Sequence, residues 1–275
     1  MVNYIQLHFA SQLPDEQEIL LAQLAEIGYE GFEQGTDYLN AYILESLFDE
    51  SSLKDIISLD RHSITIEKIE PRNWNEEWEK SFEPVTIENF CAIRADFHPT
   101  VAGVEYEIII TPKMSFGTGH HATTFQVIQF MQQINFAGKD VMDFGTGTGV
   151  LAILAEKLNA RHVYAIDYDE WSIENAKENI QVNHCSRIKL VNSDSLPENE
   201  DFDVILANIN KHVIIQNLPA IAKHLRMNGV LILSGLLQVD EQDIAAAALN
   251  EDLIIQKHSE KNGWIMLSLI KGNSA

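Results

Sequence analysis

The sequence predicts an α/β chain in two parts: a doubly wound, mostly parallel sheet closed by an antiparallel C-terminal hairpin, preceded by a small α+β sandwich. Three observations predict it. Val141-Met142 leads into Asp143, then Gly145, Gly147 and Gly149 alternate with small residues before Leu151 to Ala155 opens a helical pattern. That is a buried strand, a tight turn and a helix start. Strand and helix patterns then alternate as far as Leu249. Finally Asn262-Gly263 separates two apolar runs, a strong hairpin signal.

Taken in order, Tyr4 to Phe9 alternates apolar and polar residues as a strand does. Pro14-Asp15-Glu16 starts a helix, Ile19, Leu20, Leu24 and Ile27 share one face, and Gly28 stops it. Phe32 and Tyr38 to Leu44 read as two strands joined near Gly35-Thr36. A short helix over Ser51 to Leu59 follows, with Ser51 or Ser52 as its cap, and Ser63 to Ile69 alternates again. Strand, helix, strand, strand, helix, strand is the order of a ferredoxin-like sandwich. No chemistry is visible in residues 1–70, which read as a recognition or docking domain. In 71–80, Trp74 and Trp78 lie four apart on one helical face, as side chains packing against a neighbouring domain would, and the segment reads as a helical connector between the two parts.

The remainder, 81–275, begins with short strands or edge pieces, among them Phe90 to Ala95 and Tyr106 to Ile110. The glycine-rich segment Ser115 to Thr124 then runs into a helix through Phe125, Val127, Ile128 and Met131, either as plain turn and cap or as a pocket wall. After the central helix come a strand His162 to Asp167 and a helix Glu170 to Val182, with Trp171, Ile173, Ala176 and Ile180 as its apolar positions. Strands Ile188 to Val191, Phe202 to Ala207 and Gly229 to Leu233 follow. Helices Val213 to Leu225 and Gln238 to Leu249 alternate with them, and the hairpin pairs Leu253 to Lys257 with Trp264 to Ile270.

Composition narrows the function. Nineteen basic residues against 41 acidic ones give a net charge of −22, which repels nucleic acid and anionic lipid and either attracts a basic partner or serves solubility alone. Cys91 and Cys185 have no metal or redox spacing, and no metal site is expected. The N-terminus lacks a secretory pattern and no apolar run is long enough to cross a membrane, so a cytoplasmic protein is expected.

In a doubly wound sheet ligands bind beyond the carboxyl ends of the strands, where Asp143, Gly145, Asp167, Asp194 and Asn208 all fall. A dinucleotide fingerprint wants a glycine where Val150 stands, and Asp143 before the first glycine sits badly beside a pyrophosphate. S-adenosylmethionine carries no phosphate but does carry an ammonium and a sulfonium, so an acid near the loop makes electrostatic sense. Asp167 at the second strand end suits two ribose hydroxyls, or caps the next helix. Asp194 or Ser195 suits an adenine amino group, or caps a turn. Asn208 can accept hydrogen bonds from an incoming amine and so act in catalysis.

Phe116-Gly117-Thr118-Gly119-His120-His121-Ala122-Thr123-Thr124, then Asp143 to Ile153, then Ala207-Asn208-Ile209 together resemble the PrmA family, the ribosomal protein L11 methyltransferases. The likeness spans nearly the whole chain. The central loop alone is similar to any class I methyltransferase; the upstream Phe-Gly-Thr-Gly segment is the specific part. The resemblance implies a Rossmann-like methyltransferase domain in which Thr124, Gly145, Asp167 and Asn208 contact S-adenosylmethionine; the loop reading adds Asp143, Gly147 and Asp194. It also implies that residues 1–70 recognise the ribosomal protein, before its assembly or on the ribosome. Its implied targets are lysine ε-amines and an N-terminal α-amine. Many amine methyltransferases follow the Asn with Pro-Pro and an aromatic; Ile209-Asn210 here removes that clamp. The expected step is in-line attack of a neutral amine on the sulfonium methyl, with His120, His121, His212 or solvent taking the proton.

Overall fold

The structure, a computed structural model, describes residues 4–10, 17, 20–21, 23–25, 27–29, 31–56, 64–69, 82–111, 113 and 115–272. Its contacts divide the chain into two compact units, Met1–Glu79 and Lys80–Ala275.

In the first unit β1 (Tyr4–Ala10), β2 (Gly31–Gln34), β3 (Tyr38–Leu44) and β4 (Ile64–Ile69) form one antiparallel sheet in the order β2-β3-β1-β4. Alternation decides its inner face: Ile5, Leu7 and Phe9 pair in register with Ile43, Ala41 and Leu39 and are buried with Leu20, Leu24 and Leu53. The predicted helix over this face is present at Gln17, Leu20, Leu21 and 23–25; its start at Pro14 to Glu16 lies outside the described residues. Gly28 ends it at φ 95°, where Tyr29 N–H reaches back to the Leu24 carbonyl. The next helix, α1 (Glu50–Ile56), begins one residue earlier than predicted. Its end at Leu59 lies outside the described residues. Neither serine caps it: the Asp49 carboxylate accepts from the Ser51 N–H and from both serine hydroxyls. A carboxylate is the stronger acceptor and wins the position. The tryptophan-bearing segment 71–80 lies outside the described residues.

In the second unit β5 (Val85–Ile87), β6 (Cys91–Ala95) and β7 (Tyr106–Ile110) form a sheet of their own. The main sheet has seven strands in the order β10-β9-β8-β11-β12-β14-β13. Here β8 is Asp140–Phe144, β9 His162–Asp167, β10 Ile188–Asn192, β11 Phe202–Asn208, β12 Leu225–Leu237, β13 Leu253–Lys261 and β14 Trp264–Lys271. The first five are parallel; β14 pairs antiparallel with both β12 and β13, so it alone runs the opposite way. The chain runs outward from β8 to β10 and returns to β11 on the other side of β8, so the winding reverses between β8 and β11. The helices are α2 (Ala122–Met131), α3 (Val150–Lys157), α4 (Glu170–Val182), α5 (Lys211–His224) and α6 (Glu241–Leu249). One apolar core holds Ile128, Leu154 and Val163, the other Ile214, Leu218 and Ile244.

Several boundaries differ from the sequence reading. β12 starts at Leu225, not Gly229, because it pairs with Phe202 across an irregularity in register. α5 starts at Lys211, since the Asn210 side chain caps it by accepting from Val213 N–H. Residues Gln238–Asp240 form a 3₁₀ turn before α6. The hairpin strands extend to the turn itself, where Asn262 and Gly263 have φ of 56° and 81°, the tight turn that matches strand twist.

Candidate active site

The glycine loop between β8 and α3 is set by backbone geometry. Gly145 and Gly147 have φ of 79° and 54°. A Cβ on Gly145 would lie 2.3 Å from the Ile209 side chain, and one on Gly147 would lie 2.3 Å from the Phe116 carbonyl oxygen. Only glycine fits either place. The upstream segment 115–121 rests directly on this loop. Thr148 donates its N–H to the Phe116 carbonyl (3.0 Å) and its hydroxyl to the Gly117 carbonyl (2.8 Å). The segment is therefore a wall of the site rather than a plain turn.

A narrow cleft at the carboxyl end of the sheet is lined by Phe116, Gly117, Thr124, Gly145, Thr146, Val150, Leu151 and Asn208. Thr124 is fully buried and Asn208 partly so. The Asn208 amide donates to the Thr124 hydroxyl at 3.1 Å, which leaves its Oδ1 buried with no protein partner. Asp143 lies beneath the loop, 1% exposed. Its Oδ2 accepts from the Thr146 hydroxyl (2.6 Å) and from Ala152 N–H in the first turn of α3 (3.2 Å), while Oδ1 is likewise buried and unpartnered. Burial pushes this carboxyl up to about 7, the two hydrogen bonds opposing and the Asp167 charge adding to it.

Asp167 ends β9 and uses both oxygens locally: Oδ2 accepts from Gly147 N–H (2.9 Å) and Oδ1 from Asp169 N–H (3.1 Å). It does not cap α4, since Asp169 does so through Ser172. Asp194 is exposed in the loop after β10. That loop is tied to the site through Ser193 N–H, which donates to the Asp167 carbonyl, and its turn is held by the Ser193 hydroxyl rather than by Asp194. The cleft thus gathers Thr124, Gly145 and Asn208; Asp143 lies below it, Gly147 and Asp167 border it, and Asp194 stays on the rim. None of the candidate histidines lines it. His120 spends both ring nitrogens on Thr118 and the Glu83 carbonyl, and His121 caps α2.

The sequence reading missed the buried face of α4. Trp171, expected in the core, is 77% exposed, whereas Asn175 and Asn179 are fully buried. Asn183 exchanges two hydrogen bonds with the backbone of Ile109. Asn179 accepts from Thr111 N–H and donates to the Thr148 carbonyl, and Asn175 donates to the Thr111 carbonyl. These amides take up the free edge of β7, which is why the small sheet stands apart from the main one, and Asn179 also holds the glycine loop. The visible signal was asparagine at 175, 179 and 183, one helical face.

A larger cavity of about 560 Å3 opens at the amino ends of the strands. Its cations are already paired: Arg161 on Asp140, Arg226 on Asp140 and Asp203, Arg187 on Glu156, Lys189 on Glu200. Two unpartnered carboxylate and amide oxygens, Asp143 Oδ1 and Asn208 Oδ1, lie at the other end, in or beside the cleft.

The family model of ribosomal protein L11 methyltransferase (PrmA) matches residues 13–272. A relative of that description from Phocaeicola vulgatus is 37% identical over 98% of this chain and 99% of its own. One from Porphyromonas gingivalis is 39% identical over 91% of this chain and 89% of its own. This chain belongs to the ribosomal protein L11 methyltransferase family. The solved structure of a ribosomal protein L11 methylase from Lactobacillus delbrueckii subsp. bulgaricus superposes with a TM-score of 0.64. It is 28% identical and covers 70% of this chain and 100% of that one. A methyltransferase from Pyrococcus furiosus, 22% identical with a TM-score of 0.51 over 60% of this chain and 90% of its own, shares the fold.

As a family member the chain is a methyltransferase whose methyl donor is S-adenosylmethionine. The residues present fit that donor. Two buried oxygens without partners, Asp143 Oδ1 and Asn208 Oδ1, are acceptors awaiting N–H or O–H donors, and the donor with its amine substrate brings ammonium, hydroxyl and amino groups. Among the described residues no group of three His, Cys, Asp or Glu side chains is placed to hold a metal ion. None of their helices is long and apolar enough to cross a membrane.

Proposed function

We propose that this chain methylates ribosomal protein L11 on lysine ε-amines and on the N-terminal α-amine, in the cytoplasm, without binding nucleic acid directly. The single observation that carries the amine reading is Asn208 Oδ1, a buried acceptor with no partner, on a side chain fixed in rotation by the hydrogen bond its amide donates to the Thr124 hydroxyl. S-adenosylmethionine supplies an electrophilic methyl on a sulfonium, which is already a good leaving group. The protein's part is then position. Asn208 accepts from the amine N–H and aims its lone pair. Asp167 gives up its local bonds to accept from ribose hydroxyls, and Gly145 and Gly147 let the backbone come close. Asp143 answers the ammonium through the loop, Thr124 holds Asn208, and Asp194 meets the adenine edge. The amine must lose a proton, since a free lysine has a pKa of about 10.4. Burial of the amine in the cleft favours the neutral form, and solvent at the Phe116 rim takes the proton, as none of His120, His121 and His212 lines the cleft.

Residues 1–70 form, in this reading, a ferredoxin-like substrate-recognition domain, supported by the antiparallel order β2-β3-β1-β4. Residues 71–80, which lie outside the described residues, join it to 81–275, the methyltransferase domain. The test is transfer of labelled methyl groups onto L11 purified from a strain lacking this enzyme, with and without ribosomes, read by mass spectrometry. Label on L11 lysines and its N-terminus is expected. Label only on another protein, an RNA or a small amine would replace this substrate assignment.

A further inference from the structure

The acid excess of this chain is not evenly spread. Residues 1–79 hold 17 acidic and 4 basic side chains, whereas 80–275 hold 24 and 15. More than half of the net charge of −22 therefore lies on less than a third of the length. A solubility charge has no reason to concentrate so.

Within that unit one sheet face is committed to the core and the other is polar and aromatic. His8 on β1 stands opposite Asn40 on β3, which stands opposite Glu33 on β2. The side chains form one network. Glu33 Oε1 accepts from the Tyr38 hydroxyl (3.0 Å), and Oε2 accepts from the Asn40 amide (3.0 Å) and the Tyr42 hydroxyl (3.2 Å). Asn40 Oδ1 in turn accepts from His8 Nδ1 at 2.7 Å, and the His8 ring stacks on Tyr38 at 5.7 Å. Hydrogen bonds from Asn40, Tyr38 and Tyr42 hold the Glu33 carboxyl below its usual range, so it stays ionised. An ordinary solvated glutamate is mobile and bonded to water. This one is exposed yet fixed by three donors and flanked by aromatic rings, the surroundings that suit an alkylammonium or guanidinium through ion pairing and ring-face attraction together.

We propose that this sheet face, centred on the exposed Glu33 between Tyr38 and Tyr42, is the docking surface for a lysine- or arginine-bearing segment of the protein substrate. The inference rests on the reading of L11 as that substrate and adds the face and the residue that anchor it. Electrostatic complementarity argues for the occupant: a basic protein meets the acidic unit first, and the fixed carboxylate gives its approach a register.

The test compares the full-length enzyme with Glu33→Gln, which keeps size and loses charge, and with Tyr42→Phe, which keeps the ring and loses one donor. Glu198→Gln, at an exposed carboxylate in the second unit, is the control for loss of charge elsewhere. L11 binding is measured by calorimetry, and methyl transfer gives KM and kcat separately. Glu33→Gln should raise both the L11 dissociation constant and KM about fivefold or more. It should weaken their salt dependence and leave kcat and S-adenosylmethionine affinity unchanged, while Glu198→Gln changes neither. If Glu33→Gln misfolds, as read by thermal melting, Tyr42→Phe decides by the same split, with a smaller rise in KM. Wild-type affinity for L11 in a folded Glu33→Gln overturns the proposal. L11 binding without methyl transfer overturns the catalytic reading but not the face; no L11 binding to the wild type overturns both.

Discussion

Replacing Asp143 by asparagine removes one charge from a place where water cannot reach it, and the consequence can be worked out. The carboxyl is 1% exposed and burial raises it from 3.8 to about 7. Below the unfolded value it is neutral in both states and has no influence on how stability varies with pH. Between 3.8 and about 7 the unfolded chain releases the proton and the folded chain keeps it, so stability falls as pH rises. Above about 7 the loss is complete, on the order of 4 kcal/mol at 1.36 kcal/mol per unit. Asparagine has nothing to titrate. From about pH 5.5 to pH 8 the unfolding free energy of Asp143→Asn should therefore gain about 2 kcal/mol on the wild type, measured by urea denaturation without ligand. A donor ammonium brought near the unpartnered Oδ1 reverses the preference, so S-adenosylmethionine binding near pH 6 should release a proton. Calorimetry in two buffers of different ionisation enthalpy reads that release, and the Asn variant should show none and bind more weakly. Parallel stability curves for the two proteins, together with equal proton release, would refute the account of Asp143 as a buried charge answering a ligand cation.

Three further outcomes follow from the same geometry. Gly147→Ala places a Cβ 2.3 Å from the Phe116 carbonyl oxygen at a φ of 54°; S-adenosylmethionine affinity should fall at least about tenfold by titration calorimetry, since the two loops must part. Asn179→Ala strips partners from Thr111 N–H and the Thr148 carbonyl and should cost about 2–4 kcal/mol in chemical denaturation. An unchanged midpoint would mean that water replaces the amide. Asp167→Ala removes the carboxylate that accepts from Gly147 and Asp169. Donor affinity measured by fluorescence titration should drop about a hundredfold, and retained tight binding would remove Asp167 from the ribose contact.

What the sequence determined by itself is whatever depends on near neighbours along the chain. Gly145, Gly147 and Gly149 announced a turn needing positive φ, Asn262-Gly263 announced the hairpin, and strand alternation placed Asp143, Asp167 and Asn208 at one end of one sheet. Each follows from backbone sterics or a period of two, and needs no knowledge of partners. Tertiary structure decided the rest, because it turned on partners far away in the chain. Thr148 reads as filler until its hydroxyl meets Gly117, 31 positions upstream. Trp171 reads as core because hydrophobicity is the only face signal a periodic pattern carries. Yet α4 buries Asn175 and Asn179, whose amides pair with a strand edge more than 60 positions back. An amide satisfied on both sides, as Asn179 is, is as compatible with burial as an apolar side chain, and only the fold shows whether both sides are met. By the same rule, only the fold shows where one is not: the single unpartnered oxygens of Asp143 and Asn208, invisible in any spacing, are the feature of this site that calls for a ligand.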